Sequence, residues 1–381
     1  MRGFFRKALL AGLALGALAA LAYFSRRKIH LGDFTWSRFT HAVGQANIWL
    51  LLISIVAVYG AYVLRTLRWQ RLSRHLGPTK FLDVYSATLM GFASIFILGR
   101  AGEPVRPLLL ARKTGQPVPI MFGVWVLERI TDFGAAVALA ALSLLVFAEK
   151  LADAGLNTDW VENARAGGWL LLGILATVVA LMFYFRLHGA GVLQRRLHYW
   201  HDAGGFRHWL AEIIAGFSEG LQAIRTTSDL LITVVYTAAH WGLVTLSYFW
   251  IAKAFESAFV QSDVTFPGAM LLLAITLVGS VLQLPGVGGG AQVASFIALT
   301  TIFGVEQEPA AAIAIVLWLI TFASPTLVGV PLLIHEGLSM GELRKLARAE
   351  KAAEQEGKHV SLTGVGGSRS RGDQARGGSA G

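Results

Sequence analysis

The chain has 381 residues, 55% hydrophobic and 15% charged, with 42 glycines and no cysteine. Long apolar runs of this composition specify a polytopic membrane protein, and the lack of cysteine excludes disulfides, thiolate metal sites and thiol nucleophiles. The net charge of +10 does not point to nucleic acid, because the basic residues sit at the edges of apolar segments, where topology signals lie.

Eight apolar segments follow in order: 7–24, 47–64, 82–98, 118–148, 168–186, 230–252, 268–284 and 309–334. The first follows Arg2, Arg6 and Lys7 and ends before Arg26, Arg27 and Lys28. It resembles a signal peptide but is long enough to span, and an uncleaved helix is expected. The third and seventh are marginal in length, and short half-apolar runs, 107–111 and 291–303, follow them. Charge then decides the threading. Arg65, Arg68, Arg71, Arg74 and Lys80 against Asp83 make 65–83 a cytoplasmic loop, whereas the acidic balance of 149–167 suits the outside. Both signs agree if 84–115 is a re-entrant hairpin from the cytoplasmic face and 268–304 a second one from outside. The basic loop 25–46 is the exception, falling outside against the rule.

The expected fold class is therefore all-α: a polytopic membrane helix bundle of about six full spans plus two re-entrant hairpins. Residues 1–337 form the transmembrane domain, with halves at about 1–150 and 168–337, and 338–381 form a cytoplasmic tail, disordered from about 352. Each half reads span, span, hairpin, span, in opposite orientation. That is the pattern of an inverted repeat with a substrate site near the midplane. The offset that carries Gly99 onto Gly288 also places Glu103 on Gln292, Gly115 on Gly304 and Asp132 on Thr321. Between the halves, 206–225 has apolar residues at helical spacing, which fits either an interfacial amphipathic helix or an ordinary helix packed on the ends of the spans.

Two charged groups stand inside this apolar frame. Glu128, Arg129 and Asp132 share one face of a helix, far from its start at Pro119. Charges at such depth must face protein or a cavity. They read either as a buried ion-pair cluster that fixes packing or as the wall of a polar path. Arg100, Glu103 and Arg106, three apart, fall on one side of a helix starting near Ala101, with Pro104 in its first turn. A helix start with two arginines suits a phosphate, unless Glu103 neutralises one of them.

Two further stretches carry less. The run Leu284-Pro285-Gly286-Val287-Gly288-Gly289-Gly290 lacks the GK[ST] ending of a nucleotide loop and fits a hairpin tip, with Gln292 as its nearby polar group. His198, His201, Asp202 and His208 match no strong metal spacing. No Ser-His-Asp or HExxH arrangement is present.

The run Gly99 to Arg106, the Glu128-Arg129 and Asp132 set, and the Leu284-Pro285-Gly286 glycine run together resemble the lysylphosphatidylglycerol synthase transmembrane-region family, over roughly 45–335. The resemblance implies a flippase-like protein that moves lipids or lipid-linked glycans. The chain is similar to stand-alone members without the aminoacyl-transferase domain, and it is not expected to synthesise the lipid itself. Gln292 stands where family sequences often carry an acidic residue.

The expected function is binding and translocation of an anionic phospholipid or lipid-linked glycan in a bacterial-type cytoplasmic membrane. Arg100 and Arg106 would hold the phosphate, Glu103 would set their geometry, and Glu128, Arg129 and Asp132 would line the path, with Pro285, Gly288 and Gln292 at the second hairpin. No cofactor, metal or nucleic-acid partner is expected, and movement is facilitated or ion-coupled. The rivals are an accessory membrane subunit of a lipid- or glycan-modifying partner enzyme, and a membrane-embedded transferase with Glu103 or Asp132 as base.

Overall fold

The computed structural model describes residues 34–116, 118–153, 161–177, 179–180, 226–258, 264–284 and 288–336. The expected helices at 7–24 and 206–225, the histidine cluster at 198–208, Pro285 and the tail lie outside these residues.

The fold is all-helical. The helices are α1 (Trp36–Gly44), α2 (Ile48–Ser73), α3 (Phe81–Leu98), α4 (Val105–Thr114), α5 (Val118–Asp153), α6 (Thr227–Ala254), α7 (Phe266–Gly279), α8 (Gly290–Thr301), α9 (Gln307–Trp318) and α10 (Ser324–His335). Residues 161–177 are also helical. Among the described residues the one extended element is an antiparallel pair, β1 (Gln283–Leu284) with β2 (Gly288–Gly289), at the tip between α7 and α8. Five stretches are long and apolar enough to cross a membrane: Ile48–Ser73, Phe81–Gly102, Ile120–Val146, Thr227–Ala254 and Gln307–His335. Their exposed side chains are apolar, as lipid-facing surfaces require, for example Val56, Phe133, Val235 and Leu327. Buried hydroxyls fold back onto their own helices, as Thr66 onto Tyr62 O, Thr88 onto Val84 O and Ser94 onto Met90 O. These hydroxyls are then not stranded in a low dielectric.

The centre is an antiparallel pair, α2 against α6. Asn47 N donates to Ala254 O, Ser247 Oγ to Ser54 O, His240 Nδ1 to Ala61 O, and Arg68 to Thr237 Oγ1. At one end Arg71 and Arg74 pair with Asp229. The register thus holds along both helices, about 39 Å for the 26 residues of α2.

Two hairpins flank this pair. In the first, the 3-10 turn Gly99–Gly102 brings the chain back onto α3. A Cβ on Gly102 would lie 2.2 Å from Ser94 O, so only glycine permits this approach. Gly91 faces Arg106, and Lys113 lies 3.9 Å from Asp83, so α4 returns to the end from which α3 set out. In the second, Gly268 faces Phe303, Thr276 Oγ1 bonds Ser295 Oγ at 2.8 Å, and Gly279 meets Gly290 backbone to backbone. This hairpin starts beside the opposite end of the α2–α6 pair, where Phe249 packs on Phe266. The hairpins therefore enter from opposite ends. Each also packs against a helix of the other half: α5 lies on α7, and α10 on α3, where Gly329 approaches Leu89 O. Both apolar clusters of the core run through these contacts.

Three expectations about elements change. Residues 65–73 are not loop, because α2 continues to Ser73 and buries Arg68 completely. Trp69 and Leu72 on the same helical face carry the apolar contact onward. The helix after Gly99 starts at Val105 rather than near Ala101, which makes Pro104 its N-cap. The segment 309–334 is also not one regular helix. A π-helical turn, Leu319–Ala323, joins α9 to α10, and Tyr62 and Tyr59 donate to the carbonyls of Thr321 and Ser324 there.

The hairpin geometry predicts labelling. In this cysteine-free chain, Lys80→Cys and Arg112→Cys should both react with an impermeant thiol reagent from one face, and Glu306→Cys from the other. Labelling of the first two from opposite faces would contradict the hairpin.

Candidate functional site

The site assembles from α2, α4 and α5. Arg65 and Arg68, three apart on α2, face Glu128 and Asp132, four apart on α5, so each pair presents one helix face to the other. Arg65 Nε donates to Glu128 Oε1 at 2.6 Å and its Nη2 to Asp132 Oδ2 at 2.6 Å. Arg68 Nη2 reaches Asp132 Oδ1 at 2.7 Å and Glu128 Oε1 at 3.2 Å. From α4, Arg106 Nη1 donates to both oxygens of Glu128, at 2.9 and 2.7 Å, while its guanidinium lies over the Trp69 ring, 4.7 Å from the centroid. Arg129 sits at the edge, 3.3 Å from Asp132 and with a side chain 39% exposed. Counted from Val118 at 1.5 Å per residue, Glu128 and Asp132 lie about 15 and 21 Å along α5, inside a 30 Å hydrocarbon core.

The cluster has a definite sign. Arg65, Arg68, Arg106 and Arg129 stand against Glu128 and Asp132, leaving two positive charges without a carboxylate in the group. Nε of Arg68, Nε and Nη2 of Arg106 and Nε of Arg129 also find no acceptor among the described residues.

A cavity of about 940 Å³ opens beside the cluster. Arg65, Arg129 and Asp132 reach it, and the rest of its wall is mostly apolar, with Phe92, Phe133, Leu277 and Trp318. Both hairpin tips border it. Arg100 Nη1 pairs with Glu103 at 3.0 Å, and the same guanidinium donates to Ser280 O at 2.8 Å and Val281 O at 3.0 Å on the second hairpin. These carbonyls lie just past the C-terminus of α7, where a cation is favoured. Arg100 thus ties the two tips together. Gln292, also at the cavity wall, accepts from Gly289 N at 2.7 Å and closes the first turn of α8.

The sequence-derived residues are therefore distributed differently from expectation. Arg100, Glu103, Arg129, Asp132 and Gln292 border the cavity; Glu128 and Arg106 stand behind it; Gly288 is in β2; Pro285 lies outside the described residues. Arg100 and Arg106 do not form one anion site. The helix that would have aligned them does not exist before Val105, and Arg106 is 5% exposed and turned onto Glu128. Glu128, Arg129 and Asp132 share a face as expected, but their main partners are Arg65 and Arg68, which the sequence alone places in a loop. The signal that would have found them is the charge balance: two carboxylates deep in an apolar helix need cations, and Arg65 and Arg68 directly continue an apolar segment.

Fold and site together define a polytopic helical membrane protein with a charged cavity between two opposed hairpins. The chain belongs to the family described as the lysylphosphatidylglycerol synthase TM region, whose model matches residues 9–329. A search of curated proteins returns no match. Family membership ties this integral membrane protein to lipid modification or transport.

Proposed function

We propose that the protein binds an anionic phospholipid, or the phosphate of a lipid-linked glycan, in this cavity and moves it across the membrane. The observation that carries the reading is the excess of two cationic charges at the edge of a mostly apolar cavity inside the helix bundle. An unpaired charge at that depth costs roughly 2.5–3.5 kcal/mol on insertion scales. An anionic headgroup supplies the missing charge while its chains stay against apolar wall, and the volume lies within the roughly 300–1,000 Å³ range of ligand cavities. Arg129 and Arg65 replace Arg106 as the phosphate ligands, with Arg100 at the hairpin tips.

The tie between tips gives the movement a physical basis. A phosphate competing for Arg100 would release Ser280 O and Val281 O and let the hairpins separate. The reading makes the protein a transporter rather than an enzyme. It places the basic end, with Arg71, Arg74, Lys80 and Arg112, on the cytoplasmic side. Glu336, the last described residue, lies at that same end, paired with Lys113, which supports a cytoplasmic tail. An inner-membrane location accords with it.

The test is a binding titration of the purified chain in detergent. A singly charged anionic phospholipid should bind at least about tenfold more tightly than a zwitterionic phosphatidylcholine, since one charge-assisted hydrogen bond contributes about 1.5–3 kcal/mol. Equal binding of the two would remove the anion site and favour the accessory-subunit reading.

A further inference from the structure

His240 is a buried titratable side chain, 4% exposed, that the charge cluster does not use. It lies on α6 and lines the same cavity as Arg65, Arg129 and Asp132. Its Nδ1 lies 2.8 Å from Ala61 O. A backbone carbonyl only accepts, so the proton is on Nδ1, and in the neutral ring Nε2 is an acceptor. Among the described residues Nε2 has no hydrogen-bond partner. The ring is fixed on both sides, by Ala61 O and by an edge contact with Trp241 at 5.5 Å. The charged side chains of the wall are arginines, which only donate, and two carboxylates they already hold: Asp132 receives from Arg65, Arg68 and Arg129, and Glu103 from Arg100. The cavity therefore offers many donors for a phosphate, and beside the cluster His240 Nε2 is an acceptor that no side chain among the described residues occupies.

We propose that His240 Nε2 selects the headgroup: it accepts a hydrogen bond from an O–H or N–H group that follows the phosphate. The preferred cargo is then an anionic lipid whose headgroup carries a donor, not one whose phosphate ends in an alkyl group. This rests on the anionic-lipid reading above. A buried acceptor left without its donor when the wrong headgroup enters loses the hydrogen bond it otherwise makes to water, which is how a site rejects analogues lacking a hydroxyl.

The experiment compares two lipids of equal charge and identical chains, phosphatidylglycerol and phosphatidylmethanol, titrated against the full chain in detergent. The expected result is about three- to tenfold tighter binding of the glycerol lipid, the span of one net hydrogen bond. His240→Asn keeps a donor for Ala61 O but cannot reach the Nε2 position, so the two lipids should bind within about twofold of each other. His240→Gln, whose longer amide reaches that position, should retain part of the preference and covers the case in which the asparagine variant does not fold. Equal binding of both lipids to the wild type, or a preference that survives in a folded His240→Asn, overturns the selection by His240 and leaves the anion site standing. Failure of both lipids to bind the wild type overturns the anion site and this inference with it.

Discussion

Glu128→Gln is expected to destabilise the protein by about 3–5 kcal/mol, the cost of removing one partner from a buried ion pair. The residue is 1% exposed, and its carboxylate receives Arg65, Arg68 and Arg106 at 2.6–3.2 Å. Glutamine keeps the shape and one acceptor but removes the charge, so three guanidiniums are left around a neutral amide. Arg106 then loses its charge partner and keeps its contact with Trp69, so α4 loses its ionic tie to α5. The comparison is Glu103→Gln, at a pair whose side chains are 48% and 21% exposed, where a change of within about 1 kcal/mol is expected. Thermal unfolding in detergent, read by loss of monodisperse protein, measures both. A Glu128→Gln protein as stable as the wild type would show that the cluster is not the keystone of helix packing.

Arg129→Gln is expected to do the reverse: leave the fold in place and weaken anionic-lipid binding at least about tenfold. From sequence, Arg129 reads as one member of a mutually paired cluster, so that its removal should lower folded yield. The structure reverses this. Arg129 holds a single bond, at 3.3 Å to an aspartate already bound by Arg65 and Arg68, and its side chain is 39% exposed toward the cavity. Removing it also lowers the surplus charge without stranding a carboxylate. Arg129→Lys should restore part of the binding, because charge returns without the planar fork. Arg106→Gln, by contrast, now belongs with Glu128→Gln: it strikes a 5% exposed ion pair and should lower folded yield. Unchanged lipid affinity in a folded Arg129→Gln protein would remove this arginine from the site.

How far the sequence could be read follows from where each signal is local. The apolar runs of α2, α5, α6 and α9–α10 are long and self-contained, so their existence is plain from composition. The hairpins are legible through charge placement, since the signs of 65–83 and 149–167 agree only if the chain turns back between them. The glycines that make the turns possible, Gly102 on Ser94 and Gly279 on Gly290, act through close approaches that no spacing rule specifies. The site is half legible. Glu128 and Asp132 stand out because carboxylates are rare at such depth. Arg65 and Arg68 do not, because the positive-inside rule explains arginines after an apolar run equally well, and only the pairing of α2 with α5 shows them to be buried. Arg100 and Arg106 look equivalent at helical spacing. The 3-10 turn between them sends one to the second hairpin and the other to Glu128. His240 carries no sequence signal: its role depends on a carbonyl of α2 occupying its other nitrogen.

Transbilayer movement tests the central claim most directly. The full chain is reconstituted into liposomes with a headgroup-intact anionic phospholipid labelled on one acyl chain, and the outer-leaflet label is quenched over time. Wild-type protein should expose inner-leaflet anionic lipid to the quencher faster than protein-free vesicles, with little effect on labelled phosphatidylcholine. Arg129→Gln should bring the rate close to that of the empty vesicles while the protein remains folded. Equal rates with and without the wild-type protein, or a folded Arg129→Gln variant as active as the wild type, would contradict the account.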